Sequence, residues 1–257
     1  MSSRADQLKA FERLLDIMDE LREKCPWDRK QTFETLRHLT IEETYELGDA
    51  ILEKDNDEIK KELGDLLLHI VFYAKIGSEN KAFDIGDVAH GISEKLISRH
   101  PHIYGDIKAD DADQVAKNWE SIKLKEGKKS VLEGVPKSLP ALVKAFRIQE
   151  KASGVGFDWS NTEGVLDKVK EELQELKAEV YQKNSTEIEA EFGDVLFSLI
   201  NYARFLEINP ESALERTNKK FIKRFNYIES KAIENGKSVN ELSLDEMEAF
   251  WQEAKSH

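Results

Sequence analysis

The sequence has one cysteine, five prolines and thirteen glycines in 257 residues. A lone thiol, Cys25, excludes an intramolecular disulfide and fits a reducing compartment. So few helix breakers leave little room for long structureless loops. No apolar run approaches the length of a membrane span, and residues 1–10 are polar and charged. These absences lead us to expect a cytoplasmic protein with no signal peptide and no membrane partner. Positive charge is also scarce, and the formal net charge is -13. Such a surface repels nucleic acid, so no nucleic-acid partner is expected. It does not exclude a phosphate ligand, because a bound divalent cation inverts the local field. No Gly-rich loop ending in Gly-Lys-Ser/Thr occurs, which excludes a Walker-type NTPase. No histidine lies three residues after a glutamate, which removes the Glu-x-x-His pairs of a ferritin-like di-iron site.

What is present is helical periodicity. Leu8, Phe11, Leu14, Leu15, Met18 and Leu21 recur at helical spacing. A second helix is expected from after Asp28 to about Glu53, with a turn at Lys54-Asp55-Asn56. Asp57 is the expected cap of a third, Glu58 to about Ile76, strongly apolar from Leu66 to Ala74. A fourth runs from about Ile85 to His100 and stops at Pro101. A further helix is expected over Ala112 to Lys125. Residues 126–140 read as a connector broken by Gly127, Gly134, Pro136 and Pro140.

The most informative feature is an internal repeat. Leu63-Gly64-Asp65-Leu66 resembles Phe192-Gly193-Asp194-Val195, and Tyr73-Ala74-Lys75 resembles Tyr202-Ala203-Arg204. Glu42-Glu43-x-x-Glu46 recurs as Glu171-Glu172-x-x-Glu175. Each pair is separated by 129 residues. After a four-residue shortening, Lys95 to Arg99 aligns with Lys220 to Arg224. The expected organisation is all-α, with two tandem homologous helical domains, 1–130 and 131–257. A hairpin with flanking helices buries little core alone. Pairing of the two halves, or of two chains in a homodimer, would complete four-helix-bundle cores.

Residues three or four apart share a helix face. Glu43 and Glu46 therefore point one way, and so do Glu62 and Asp65. A tight turn makes the two helices antiparallel, and equal distances from the turn bring Glu43 level with Asp65 and Glu46 level with Glu62. The second half repeats this with Glu172, Glu175, Glu191 and Asp194. Four carboxylates this close need a counter-charge. A hard divalent cation supplies it, and magnesium keeps coordination sites for water or phosphate. One acidic motif among 51 acidic residues is commonly a solvated face. Two copies at one offset favour a ligand set. Gly64 and Gly193 stand mid-helix between the ligands at roughly 1 kcal/mol each against alanine. They serve either close helix packing or room for an ion or nucleotide.

Together these residues resemble the MazG family of nucleoside triphosphate pyrophosphohydrolases in its long, two-domain form. The doubled carboxylate signature carries the likeness, as do Cys25-Pro26-Trp27-Asp28, Gly156-Phe157-Asp158-Trp159, Arg99-His100-Pro101-His102 and Ser138-Leu139-Pro140-Ala141-Leu142. The resemblance implies a dimerising helical bundle with Mg2+ (Mn2+ as a possible substitute) at the carboxylates. It also implies activity on ribo- and deoxyribonucleoside triphosphates, ATP among them. The implied metal ligands are Glu172, Glu175, Glu191 and Asp194, with Glu43, Glu46, Glu62 and Asp65 as first-half equivalents.

The halves differ in cations. Lys168 stands one turn before Glu172 where the first half has Leu39, and Lys220, Lys223 and Arg224 form a basic stripe. Triphosphate charge needs such groups, so the second half is expected to be the main catalytic one. Candidate substrate-site residues are Lys168, Glu171, Glu187, Asp194, Lys220, Lys223, Arg224 and Trp251. Candidate catalytic residues are Lys168, Glu171, Glu172 and Glu175, with Glu171 or a metal-ligating glutamate activating water. For Lys168 the plainer reading is a surface pair with Glu172. For Trp251 it is packing of the last helix. A non-catalytic nucleotide-sensing or scaffold protein would keep the same fold without turnover.

Overall fold

The computed structural model describes residues 2–105, 115 and 130–256. Among these residues there are ten α-helices and no strand. None of the helices is long and apolar enough to cross a membrane. The helix expected over 112–125 lies outside the described residues. The chain divides into two compact units, residues 1–110 and 111–257.

The first unit holds α1 (Arg4–Lys24), α2 (Phe33–Glu53), α3 (Asn56–Glu79), α4 (Ile85–Arg99) and the short α5 (Pro101–Tyr104). The helix expected to start just after Asp28 begins later. Residues 28–30 form a 3-10 turn, and Thr32 caps α2 in a reciprocal box with Thr35. The cap of α3 is Asp55, not Asp57, and its side chain accepts from the Asp57 and Glu58 amides at 3.0 and 3.2 Å. Lys54 takes a left-handed conformation, φ 59°, which turns the chain back sharply enough to lay α3 along α2. α4 ends at Arg99, and Pro101 starts α5 at its N-terminus, where the missing N–H costs nothing. Met18, Leu36, Val71, Phe72 and Ile76 form the core, where α1 and α2 pack on α3.

The second unit holds α6 (Ala141–Ser153), α7 (Thr162–Gln182), α8 (Ser185–Phe205), α9 (Pro210–Glu234) and α10 (Leu244–Glu253). α7 and α8 form the hairpin equivalent to α2 and α3. The repeat reaches the turn itself, since Lys183 is left-handed at φ 61°, like Lys54. α6 and α9 pack on α8, and α10 packs on α9. Asn161 caps α7, accepting from the Gly164 amide at 2.9 Å. Ile228, Ala232 and Leu242 form a small core under Val239, Met247, Phe250 and Trp251.

Candidate active site

Each hairpin brings acidic side chains from its two helices together. In the first unit, carboxylate oxygens of Glu43, Glu46 and Glu62 lie within 4.8 Å of one another. In the second, those of Glu172, Glu175 and Glu191 do the same. The tight group is thus three of the four expected residues. Asp65 and Asp194 stand at the edge, where their charges still act on Glu43 and Glu191 respectively.

Crowding is visible in the protonation of the clusters. Burial first, then the charges of Asp65, Glu46 and Glu62, push the Glu43 pKa up. Burial first, then Glu175, Asp194 and Glu172, push up Glu191. The helices therefore hold Glu43 and Glu191 where ionisation is disfavoured unless a cation joins them. The donor sets fit one. Oε2 of Glu62 and Oε2 of Glu191 are both buried without a hydrogen-bond partner. These two glutamates occupy equivalent positions in the repeat, so the same orphaned oxygen recurs in each unit. A buried carboxylate oxygen without a proton donor is costly, and an all-oxygen cradle suits a hard divalent cation.

The units bring their own cations to these clusters from different helices. In the second, Lys168 Nζ lies 2.7 Å from Glu172 Oε1 and 2.7 Å from Glu171 Oε1. Those bonds, to Glu171 first, hold the Lys168 pKa far above its ordinary value. In the first, Leu39 stands in that place and packs against the core. The ammonium comes instead from α3, where Lys61 Nζ lies 3.1 Å from Glu62 Oε1 and 3.1 Å from Glu58 Oε2. Lys61 was not singled out by sequence. Its sequence signals are an ordinary i,i+3 pairing with Glu58 and adjacency to Glu62, which on a helix does not by itself bring two side chains together.

The remaining expected residues fall in two places. Glu187 is exposed in the first turn of α8, one turn before Glu191. Lys220, Lys223 and Arg224 lie on α9, and Arg224 stacks over Trp251 at 5.3 Å. Trp251 also contacts Phe221, with ring centroids 5.1 Å apart, and helps cover the Ile228–Ala232–Leu242 core. Its observed setting is the packing one. Gly64 and Gly193 have nothing within 4 Å of where a Cβ would stand. Close packing within either unit is therefore not what they serve.

The fold and its clusters define a class: an all-α protein whose repeated hairpins each gather carboxylates into an oxygen-lined cradle. The chain belongs to the MazG family, since the MazG nucleotide pyrophosphohydrolase domain matches it twice, over residues 31–104 and 160–228. It is 48% identical over 250 residues to the nucleoside triphosphate pyrophosphohydrolase/pyrophosphatase MazG of Thermotoga maritima, covering 95% of both chains. It is 42% identical over 257 residues to the nucleoside triphosphate pyrophosphohydrolase of Escherichia coli K12, covering 96% of this chain and 98% of that one. It is also 47% identical over 251 residues to YabN of Bacillus subtilis, an uncharacterized protein of which it spans 51%.

Proposed function

We propose that this protein hydrolyses ribo- and deoxyribonucleoside triphosphates to the monophosphate and pyrophosphate, mainly in its second unit. Mg2+ serves as the cofactor, with Mn2+ as a substitute. The observation that carries this reading is the buried, unpartnered Oε2 of Glu191 within the Glu172–Glu175–Glu191 group, duplicated by Glu62 in the first unit. The names of the Thermotoga and Escherichia relatives support the substrate class.

Glu172, Glu175, Glu191 and Asp194 would hold the metal. When bound, it neutralises phosphate charge and lowers the pKa of a water. Glu171, or one of Glu172, Glu175 and Glu191, would take the proton from the attacking water on a carboxylate oxygen. The water oxygen attacks the α-phosphorus in line, the bond to the pyrophosphate oxygen breaks, and pyrophosphate leaves with those electrons. Lys168 exchanges its carboxylate partners for phosphate oxygens and offsets the charge that builds on the leaving group. Lys220, Lys223 and Arg224 supply further positive charge. No covalent nucleophile takes part.

The dimer belongs to this reading. Leu63, Leu67 and Ile70 form an exposed apolar stripe on α3, and the equivalent Phe192, Leu196 and Leu199 form one on α8. Stripes of this kind mark assembly surfaces. The decisive experiment follows pyrophosphate release from mixed triphosphates with Mg2+. Glu172→Gln and Glu175→Gln should each remove most turnover while helical circular dichroism is kept. Full activity in both variants would overturn the assignment, and a wild-type protein without turnover would leave a scaffold or nucleotide sensor.

A further inference from the structure

On α3 the acidic face of the first unit runs on into a nitrogen donor. Glu62, Asp65 and His69 recur at three- and four-residue spacing, so they share one helix face. His69 is only 7% exposed, and its Nδ1 is buried without a hydrogen-bond partner. Glu62 leaves its Oε2 in the same condition. One face thus carries two buried, unsatisfied atoms, an oxygen and a nitrogen, with Asp65 between them. Each is costly while it has no partner, and each is a metal donor.

Asp65 links the two. It stands at the edge of the Glu43–Glu46–Glu62 group, where its charge acts on Glu43, and it acts on the His69 ring as well. Side chains four residues apart on a helix lie on one side and can close on a single ion, as paired ligands do in helical metal motifs. Burial pushes the His69 pKa below its ordinary value, and Asp65 offsets this only in part. The ring is therefore neutral near neutrality and has a lone pair to give. Tyr73 meets it edge-on, with centroids 6.4 Å apart, and so holds its orientation. Tyr73 is itself fixed across the hairpin by the Thr40 hydroxyl at 2.7 Å and by Phe33, stacked at 5.9 Å.

The second unit does not repeat this donor. Ser198 stands at the position equivalent to His69, and its Oγ donates to the Val195 carbonyl within its own helix at 2.9 Å. The second cluster is left with oxygen ligands, which suit Mg2+. The first has an imidazole as well, and imidazole favours the later first-row metals over Mg2+. Lys61 does not compete for that end of the site, since it engages Glu62, two helical turns before His69.

We infer that the first unit is a centre for a first-row transition cation, held by carboxylate oxygens of Glu43 and Asp65 and by Nδ1 of His69. The inference rests on reading the hairpin acids as metal ligands, and it adds what sets the two clusters apart. Mg2+ still enters the first cluster through its carboxylates alone. A cation that also accepts nitrogen binds there more tightly.

The test uses the full chain carrying Glu172→Gln and Glu191→Gln, which silences the second cluster, with Mn2+, Co2+ and Mg2+ as probes. Electron spin echo spectroscopy of bound Mn2+ reads directly whether a nitrogen is coordinated. A nitrogen coupling is expected, and His69→Gln and His69→Ser should each remove it. Co2+ should bind either variant at least about tenfold more weakly, the low end of what losing even an outer partner of a metal ligand costs. Mg2+ affinity should stay as it is. Melting temperature is recorded for both variants, and where one fails to fold the other decides. The coupling itself is read on protein that keeps His69. Mn2+ bound without a nitrogen coupling, or Co2+ affinity unchanged in a folded variant, overturns the site and leaves His69 as a core residue. Failure of all three cations to bind would instead remove the cradle reading of this hairpin, and the inference with it.

Discussion

The Lys168 ammonium is held 2.7 Å from Glu172, the most buried acid of the second cluster, while Leu39 fills the equivalent place in the first unit. The cation sits on the same oxygen set that the metal and triphosphate would use. If Lys168 is a phosphate ligand, Lys168→Met should lower kcat/KM about ten- to a hundredfold, the scale of a lost hydrogen bond between charged partners. Steady-state kinetics on one triphosphate checks this. Unchanged kinetics would mean that the pair is a surface ion pair only.

The paired glycines give a second expectation. Space is open at Gly193, so Gly193→Ala should gain roughly 1 kcal/mol of helix stability if nothing else occupies that space. Gly193 lies beside Phe192 on the exposed stripe and between Glu191 and Asp194. A partner chain or a nucleotide covering it would be struck by the new methyl. We expect activity to fall while the melting temperature rises or holds. A more stable and fully active variant would leave the glycine without a functional role.

Much of this was legible because helices turn spacing into geometry. The offset of 129 residues predicts that Glu62 and Glu191 have the same surroundings, and both have a buried orphan Oε2. Helix starts were less legible. Thr32 and Asp55 act as caps through backbone bonds that also depend on where the previous turn ends, so α2 starts later than just after Asp28 and Asp55, not Asp57, caps α3. Tertiary partners were illegible. Gln149 is 48 positions from Phe197 in sequence, and no periodic signal joins them. The tight group also holds three acids where equal heights along the hairpin suggested four. Level positions on two helices fix height but not how far each side chain reaches.

The first unit offers a pH test away from the acidic clusters. Arg22 on α1 donates to both carboxylate oxygens of Glu79 on α3, with Nε to Oε1 at 3.0 Å, and to the Gln31 carbonyl at 3.2 Å. Bonding from Arg22 holds the Glu79 pKa below its ordinary 4.5. A folded value below the unfolded one makes this pair's stabilisation complete above pH 4.5 and lost as pH falls through the lowered value. Glu79→Gln should therefore melt below wild type near neutrality, and the difference should shrink as pH drops below that value. Melting curves across pH 3 to 7, roughly the range where stability follows carboxylate titration, test it. A constant difference over that range would assign the loss to packing.

Metal binding should register as stability before any substrate is present. Glu191 and its neighbours repel one another in the second unit, and a cation removes that repulsion only in the folded chain, where the acids are together. Free Mg2+ at a hundred times its dissociation constant should then stabilise the fold by about 2.7 kcal/mol per site. EDTA should return the melting temperature to the metal-free value without unfolding the protein. Glu191→Gln removes one charge and the orphaned Oε2 together. That variant should melt at or above the metal-free wild type, because repulsion is relieved, yet gain less from Mg2+. The first-unit cluster remains intact in it and keeps its own response. Adding Glu62→Gln should abolish the rest. An undiminished Mg2+ response in the double variant would place the ion elsewhere and remove the physical basis for reading these hairpins as metal cradles.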